Sequence, residues 1–509
     1  MSRINTNIPS LVAQRVLGAN NFSLNRSLER LSTGLRINRG KDDPAGLIAS
    51  ENLRSEISAT NAAIGNSQRA DQVVNIAEGG LQEVSGLLTE LQGLLTTAAS
   101  TAGLSSEEKA ANQLQVDSIL QTIDRVSSST SFQGTKLLSG NFDFQTSGVA
   151  TGVTDFQVNG AKFTGTSLDV NVLVTQSAQQ GGLFLSTGAT LNLNGGTNSA
   201  FTFEVAGSLG SRELSFASGT SVAQIAAAIN TFTDVTGVQA TVSGSGGFLL
   251  SSSEFGGDEF VSVKVVNDAS IQGTGIGIFG LKAADFGTAD ASAQSTFSSS
   301  AAGNGVRDDG QDLAATINGI AATADGKVAR INTDFLDVSI TLDTTTSQTL
   351  GQVGGANPAF TITGGGADFQ LAPNVDIAGK VSLGIKDVAA RKLGSSAVGF
   401  LDDLGSGKAF NLVDGKGLAT AQKIVSQSIK QVSSLRGRLG AFQKNVIGAT
   451  IRSLGVAVEN SSAAESVIRD ADFASETAAL TRSQILVSAA TNVLGLANTQ
   501  PQNALQLLG

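Results

Sequence analysis

The side chains left to do chemistry in this sequence are carboxylates and lysines, because its 509 residues include neither Cys nor His. That inventory removes thiol nucleophiles, disulfides, Cys/His zinc sites and every Ser-His-Asp or Cys-His base. Carboxylate pairs, lysine bases and oxygen-ligated Mg or Ca sites survive it. Their sequence signatures are missing: there is no D-x-[DN]-x-[DN]-G calcium loop and no G-x-x-x-x-G-K-[ST] phosphate loop. No residue is assigned to catalysis, to a cofactor or to a metal, and the composition points away from an enzyme.

Binding chemistry is narrowed in the same way. Trp and Tyr are absent, all 24 aromatic residues are Phe, and Gly reaches 60 against 5 Pro. The chain therefore lacks the amphipathic aromatics typical of hot spots and carbohydrate platforms. A formal net charge of −10 argues against a nucleic-acid binder, which needs clustered Lys and Arg. No apolar run reaches the roughly 18 residues of a membrane span, so no membrane insertion is expected. The acid-free start with Arg3, Arg15 and Arg26 has the look of a targeting segment. Pro9, Ser10, Gln14 and Arg15 break any apolar block, however, and no A-x-A-like cleavage site follows.

What remains is pattern, and it divides the chain into three. From 1 to about 140 it is helical. Leu17, Leu24, Leu28, Leu31 and Leu35 lie on a 3.5-residue seam with Asn20 in the polar slot, and Ile8, Leu11, Val12 and Val16 widen the apolar stripe beyond one pairing. In "GKDDPAGL" Gly40 is the expected stop, Asp43 the N-cap and Pro44 the first residue of a helix running to about Ser100. Ala77, Leu81, Val84, Leu88, Leu91 and Leu95 form a heptad row within it. Ser105 and Glu108 make the capping box of a third helix carrying Val116, Ile119, Ile123 and Val126.

From 141 to 366 the texture changes to Gly, Ser, Thr, Val and Phe in alternating stretches such as "AFTFEVAG" and "LDVSITLDT", which read as strands with Gly turns. "SVAQIAAAIN" is a short helix, with Val222, Ile225 and Ile229 on one face. Three strands are expected after it, around 236–243, 247–252 and 258–266. "DLAATINGIAATADGKVARIN" followed by "FLDVSITL" reads as a second copy of this helix-then-strand unit. After 367 "DFQLAPNVDIAGKVSLGI" is hairpin-like. Helix then returns, with Leu418, Val425, Val432, Leu435, Leu439, Phe442 and Val446 in heptad rhythm and a last helix from about Asp470 carrying Leu480, Val487 and Leu494. The fold class is thus α+β: an antiparallel helical bundle built from both chain ends, with an inserted β-rich region.

Charge supports pairing of the ends. Residues 42–93 carry eight acids against Arg54 and Arg69, whereas 415–458 carry seven bases and no acid. Exposed ion pairs contribute only about 0–1 kcal/mol each, so charge would set partner and register while apolar burial holds the helices. An apolar, uncharged pattern that runs to Leu508 nevertheless has no obvious partner, since chain ends are usually solvated.

The stretches "SRINTNIPSLVAQRVL", "LERLSTGLRINRGKDDPAGLIASENLRSEI" and "DRVSSSTSFQGTKLL" at one end, with "SVIRDADFASETAALTRSQILVSAATNVLGLANTQPQNALQLLG" at the other, closely resemble bacterial flagellin over about 140 residues at each end. The resemblance implies a secreted, extracellular subunit of the helical flagellar filament. It further implies delivery by the flagellar export apparatus with an export chaperone, contact with hook-associated junction and cap proteins, and polymerisation with itself. It implies that 1–43 and 461–509 form the inner filament core, that 44–140 and 367–460 form a rod-like helical domain with the hairpin, and that 141–366 is the variable outer domain with repeat-like units.

On this reading Ile8, Leu11, Val16, Leu17, Leu24, Leu28, Leu31, Leu35, Leu480, Val487, Leu494, Leu496, Leu505, Leu507 and Leu508 pack in the subunit stack. Leu81, Val84, Leu88, Leu91, Leu95, Val432, Leu435, Leu439, Phe442 and Val446 build the rod. Gly79-Gly80 and the 34–44 connection are its expected adjustment points. A hook–filament junction protein and a β-rich surface adhesin are the rival readings. The sequence departs from flagellins sensed by the vertebrate innate receptor at "LTELQGLLTT" (88–97), where Glu90 stands in place of an arginine while Leu94 matches.

Overall fold

The computed structural model describes residues 6–506 apart from 101–102, 104, 194–198, 245, 272, 274, 283–284 and 414–416. Its principal helices are α1 (Ile8–Thr33), α2 (Pro44–Ala98), α3 (Ser106–Ser129), α4 (Val222–Asn230), α5 (Leu418–Ala441), α6 (Gly448–Arg469) and α7 (Phe473–Gln506). Two compact units share them. One is Met1–Val74 with Phe369–Lys380 and Gly440–Gly509, and the other is Asn75–Asp368 with Val381–Leu439.

The helix ends follow from local chemistry. Asn7 accepts a bond from the Ser10 N–H at 3.1 Å and opens α1, Asp43 does the same for the Gly46 N–H at 2.9 Å and opens α2, and Ser105 with Glu108 forms a reciprocal capping box on α3. The expected stop at Gly40 is corrected. α1 ends at Thr33, and Gly34, at φ 73°, donates its N–H back to the Arg30 carbonyl. A left-handed C-cap is favourable where no Cβ is present. Leu35 is therefore outside the helix and bridges Asp470.

In the second unit the row Ala77, Leu81, Val84, Leu88, Leu91 and Leu95 is buried, as are Val116, Ile119 and Ile123 of α3 and Val425, Val432, Leu435 and Leu439 of α5. Gly79 and Gly80 leave α2 unbroken. They differ in surroundings: a Cβ on Gly79 meets nothing within 4 Å, whereas one on Gly80 would sit 2.6 Å from Thr130 Oγ1 and 2.7 Å from Leu138 Cδ1. Gly80 is thus a close-packing residue. Gly80→Val should lower stability by about 1–3 kcal/mol through overpacking, while Gly79→Ala should raise it by about 0.4–1 kcal/mol. Thermal melts of the two variants decide this.

The segment from α5 to α6 contains a π-helical turn at Phe442–Ile447. Such a turn inserts one extra residue per cycle, so the inward place expected of Val446 falls to Ile447, which is buried, and Val446 is only half-buried. In the first unit Phe442 is buried and its ring lies 6.1 Å from that of Phe369.

The β region has two apolar cores. The inner one packs strands from 153–176 and 314–365, including Val158, Val172, Ile317, Val338 and Phe360. The outer one packs α4 against strands between 182 and 306, with Phe201, Phe203, Ile225, Phe248 and Val263. The outer segment is inserted in the inner one, and the chain enters and leaves at Gln179 and Gln311, which exchange backbone hydrogen bonds of 2.8 and 2.9 Å. Strands Val238–Ser243, Gly247–Ser252 and Phe260–Asn267 follow α4. The expected second copy of this unit is corrected, since 314–332 forms only strands. Asn318 and Gly319, both at positive φ, make the tight turn that a hairpin requires. Leu313, Ala315, Ile317, Ala329 and Ile331 are buried at a period of two, which a helix cannot satisfy.

Candidate assembly surface

Within the first unit α1 and α7 run antiparallel and pack along their length. The line of contact is made of small residues. Ala13 and Ser27 on α1, and Ser483, Ala490 and Ala497 on α7, are buried at multiples of seven. Small side chains on a seven-residue repeat let two helix axes approach closely and hold one seam. Leu17, Leu24 and Leu31, and Leu480, Val487 and Leu494, flank this seam half-buried. Register is held by polar contacts: Asn7 Nδ2 donates to the Ala497 carbonyl at 2.8 Å, Ser10 Oγ to Asn498 Oδ1 at 2.7 Å, and Asn20 Nδ2 to the Leu486 carbonyl at 3.4 Å.

Beyond Gly34 the two strands leaving the helix pair are clasped by backbone groups. Arg36 N–H donates to the Arg469 carbonyl at 2.7 Å and Ala471 N–H to the Gly34 carbonyl at 2.9 Å. Charged groups reinforce the clasp: Arg36 Nη2 reaches the Ile468 carbonyl at 2.6 Å, and Arg469 lies 2.8 Å from Glu51, itself paired with Arg54. The hydrogen bond from Arg469, and then that from Arg54, holds the Glu51 carboxyl below its ordinary value of 4.5. A lowered carboxylate pKa means that this contribution is present above the ordinary value and fades as pH falls through the lowered one. Of the opposite charges on 42–93 and 415–458, Glu78 and Arg436 meet directly at 2.8 Å.

The large apolar side chains around this seam are left facing water. On α1 Ile8, Leu11, Val12, Val16, Phe22 and Leu28 are exposed. On α7 Phe473, Ile485, Leu486, Val493 and Leu496 are, with Val493 at 58% and Leu496 at 71%. Ile8, Val12, Val16, Leu486 and Val493 line an apolar groove of about 610 Å³. Ile48, Val456 and Val467 add further exposed apolar positions on α2 and α6. Leu35 is half-buried in the clasp. Leu505 lies in α7 with its side chain outside the described part, and Leu507 and Leu508 lie outside the described residues.

Sequence reasoning named the leucine rows but missed the small-residue seam and most of the exposed set on α7. The signal was present in Ile485-Leu486-Val487. At about 100° per residue, three adjacent apolar positions cannot share one narrow face, and a helix apolar on several sides needs several partners.

Comparison with known proteins is consistent along the whole chain. Residues 4–143 match the bacterial flagellin N-terminal helical region, 422–508 the C-terminal helical region, and 190–254 the flagellin hook IN motif, which includes α4. The B-type flagellin of Pseudomonas aeruginosa is 30% identical, with 99% of each chain covered. Flagellin of Salmonella choleraesuis is 28% identical and flagellin A of Helicobacter pylori 26%, again over 99% of both chains. With helical termini, a β-rich centre and end-to-end similarity to these relatives, this chain belongs to the bacterial flagellin family.

Proposed function

We propose that the exposed apolar faces flanking the α1–α7 seam are the surfaces through which this flagellin stacks on its own copies to form the flagellar filament. The observation that carries the proposal is the partition of apolar side chains. The seam itself uses Ala and Ser, so the larger Ile, Leu, Val and Phe side chains remain for other subunits. Each Val or Leu fully buried there contributes roughly 1.5–3 kcal/mol. If the α1 face of one copy meets the α7 face of the next in head-to-tail fashion, the contact is heterologous, and where its rotation does not close a ring it repeats into an open helical fibre.

The same reading makes 1–43 with 461–509 the inner core, 44–140 with 367–460 the rod and 141–366 the outer domain. It also takes the protein to the cell exterior through the flagellar export apparatus with a chaperone, meeting junction and cap proteins at the filament ends. A structural role without catalysis, and without nucleic acid or membrane insertion, completes it. No helix among the described residues is long and apolar enough to cross a membrane. The junction-protein and adhesin readings are not favoured by flagellin similarity over the full length.

The test is polymerisation of purified chain seen by electron microscopy. Intact subunits should give long filaments, and subunits trimmed of 1–16 and 485–509 should give none. Undiminished growth after trimming would overturn the proposal.

Glu90 is exposed on α2 and Leu94 half-buried. Weak activation of the vertebrate innate receptor is therefore expected from monomer, and Glu90→Arg should raise the response on the order of 100-fold, since one misplaced charge at an interface costs a few kcal/mol, at about 1.4 kcal/mol per factor of ten. A receptor reporter measures both.

A further inference from the structure

In the second unit a cavity of about 400 Å³ lies between the strands at 144–146 and 154–158, the 386–400 segment and α5. None of the assembly surfaces described above lines it. Its wall carries Lys386, and its apolar lining includes Phe144, Phe156 and Phe400. Lys386 is only partly accessible, and its Nζ donates a long hydrogen bond, 3.4 Å, to the Phe156 carbonyl. Neighbouring groups also bond elsewhere, while the Asp155 and Asp143 carboxylates stay close enough to attract the ammonium. Asp387 accepts from Arg391 at 2.8 Å and from the Ala389 N–H at 2.9 Å, Asp143 accepts from the Phe144 N–H at 2.9 Å, and Gln431 is paired with both backbone groups of Gly394. A half-buried ammonium in a cavity with so little hydrogen bonding is an expensive arrangement.

We infer that Lys386 is a covalent modification site, its Nζ adding to the carbonyl carbon of a small neutral aldehyde held among Phe144, Phe156 and Phe400. Asp143, Asp155 and Asp387 against Lys386 and Lys392 on the lining make the cavity unfavourable to an anionic ligand, and the three rings suit an apolar body. In the reaction the ammonium first gives up a proton to solvent. The nitrogen lone pair then forms the C–N bond as the C=O π pair moves to oxygen, and loss of one water leaves the imine. No oxidant or reductant is consumed. Burial favours the neutral amine, lowering the Lys386 pKa against the opposing pull of Asp155 and Asp143, and Arg438 adds to the lowering.

The experiment treats the full chain at pH 7 with benzaldehyde and cyanoborohydride and maps benzylated lysines by mass spectrometry over time. Lys386 should be trapped at least about tenfold faster than the exposed Lys408 and Lys423, as expected of a desolvated lysine nucleophile. Thr154→Trp, which places a ring at the cavity rim, should remove that advantage without changing the labelling of Lys408. Labelling of Lys386 no faster than that of Lys408, or a rate unchanged by Thr154→Trp, would overturn the inference.

Discussion

Leu11→Glu and Val493→Glu subunits should stay helical and monomeric and should not polymerise. Both positions face water in the single chain, Leu11 at 57% and Val493 at 58% exposure, so a carboxylate there disturbs nothing the chain buries by itself. In the stack each substitution loses about 2 kcal/mol of apolar burial and adds the cost of desolvating a charge, which is larger. The critical concentration for growth should rise more than about 100-fold, at about 1.4 kcal/mol per factor of ten. Val242→Glu is the control: it is also exposed, at 46%, but lies on a strand of the outer core region, and its filaments should grow normally. Sedimentation assays with circular dichroism of the soluble fraction separate failed assembly from failed folding. Normal growth of Val493→Glu would place the subunit contact elsewhere.

The second large effect is on folding. Leu88 is fully buried in the α2 heptad row, and Leu88→Ala should cost about 2–5 kcal/mol, the lost transfer energy plus the cavity left behind. Its melting temperature should fall on the order of 10 °C. The same change at Leu496, 71% exposed, should leave monomer stability within about 0.5 kcal/mol while weakening assembly. One substitution type read by calorimetry and by polymer yield thus distinguishes side chains that hold the subunit from those that hold the filament. Equal melting shifts at the two positions would contradict the division.

Much of this architecture was legible in the residues. Capping residues announced the starts of α2 and α3, and the heptad row from Ala77 to Leu95 announced the buried face, because both signals are local and each has one physical cause. Three features were not. The stop of α1 was assigned to Gly40 when Gly34 was also available, and sequence alone does not say which glycine takes positive φ. The π turn at Phe442–Ile447 displaced the inward register by one residue, a tertiary adjustment without a composition signal. The degenerate second repeat was misread because "AATINGIAATA" alternates small apolar residues too weakly to separate a period of 2 from one of 3.6, and the Asn318-Gly319 turn was given too little weight. The α1–α7 seam was half legible. Large apolar residues drew attention, while Ala and Ser at the actual seam looked unremarkable.

The clasp between 34–36 and 469–471 is written in main-chain atoms. Amide and carbonyl groups are common to nearly every amino acid, so the identity of Leu35 or Asp470 is free to drift over generations without unfastening it. Only proline at position 36 or 471 deletes a donor. The linkage between head and tail is therefore robust to mutation, and diversification of this molecule can proceed around it while both ends still enter the fibre as one piece.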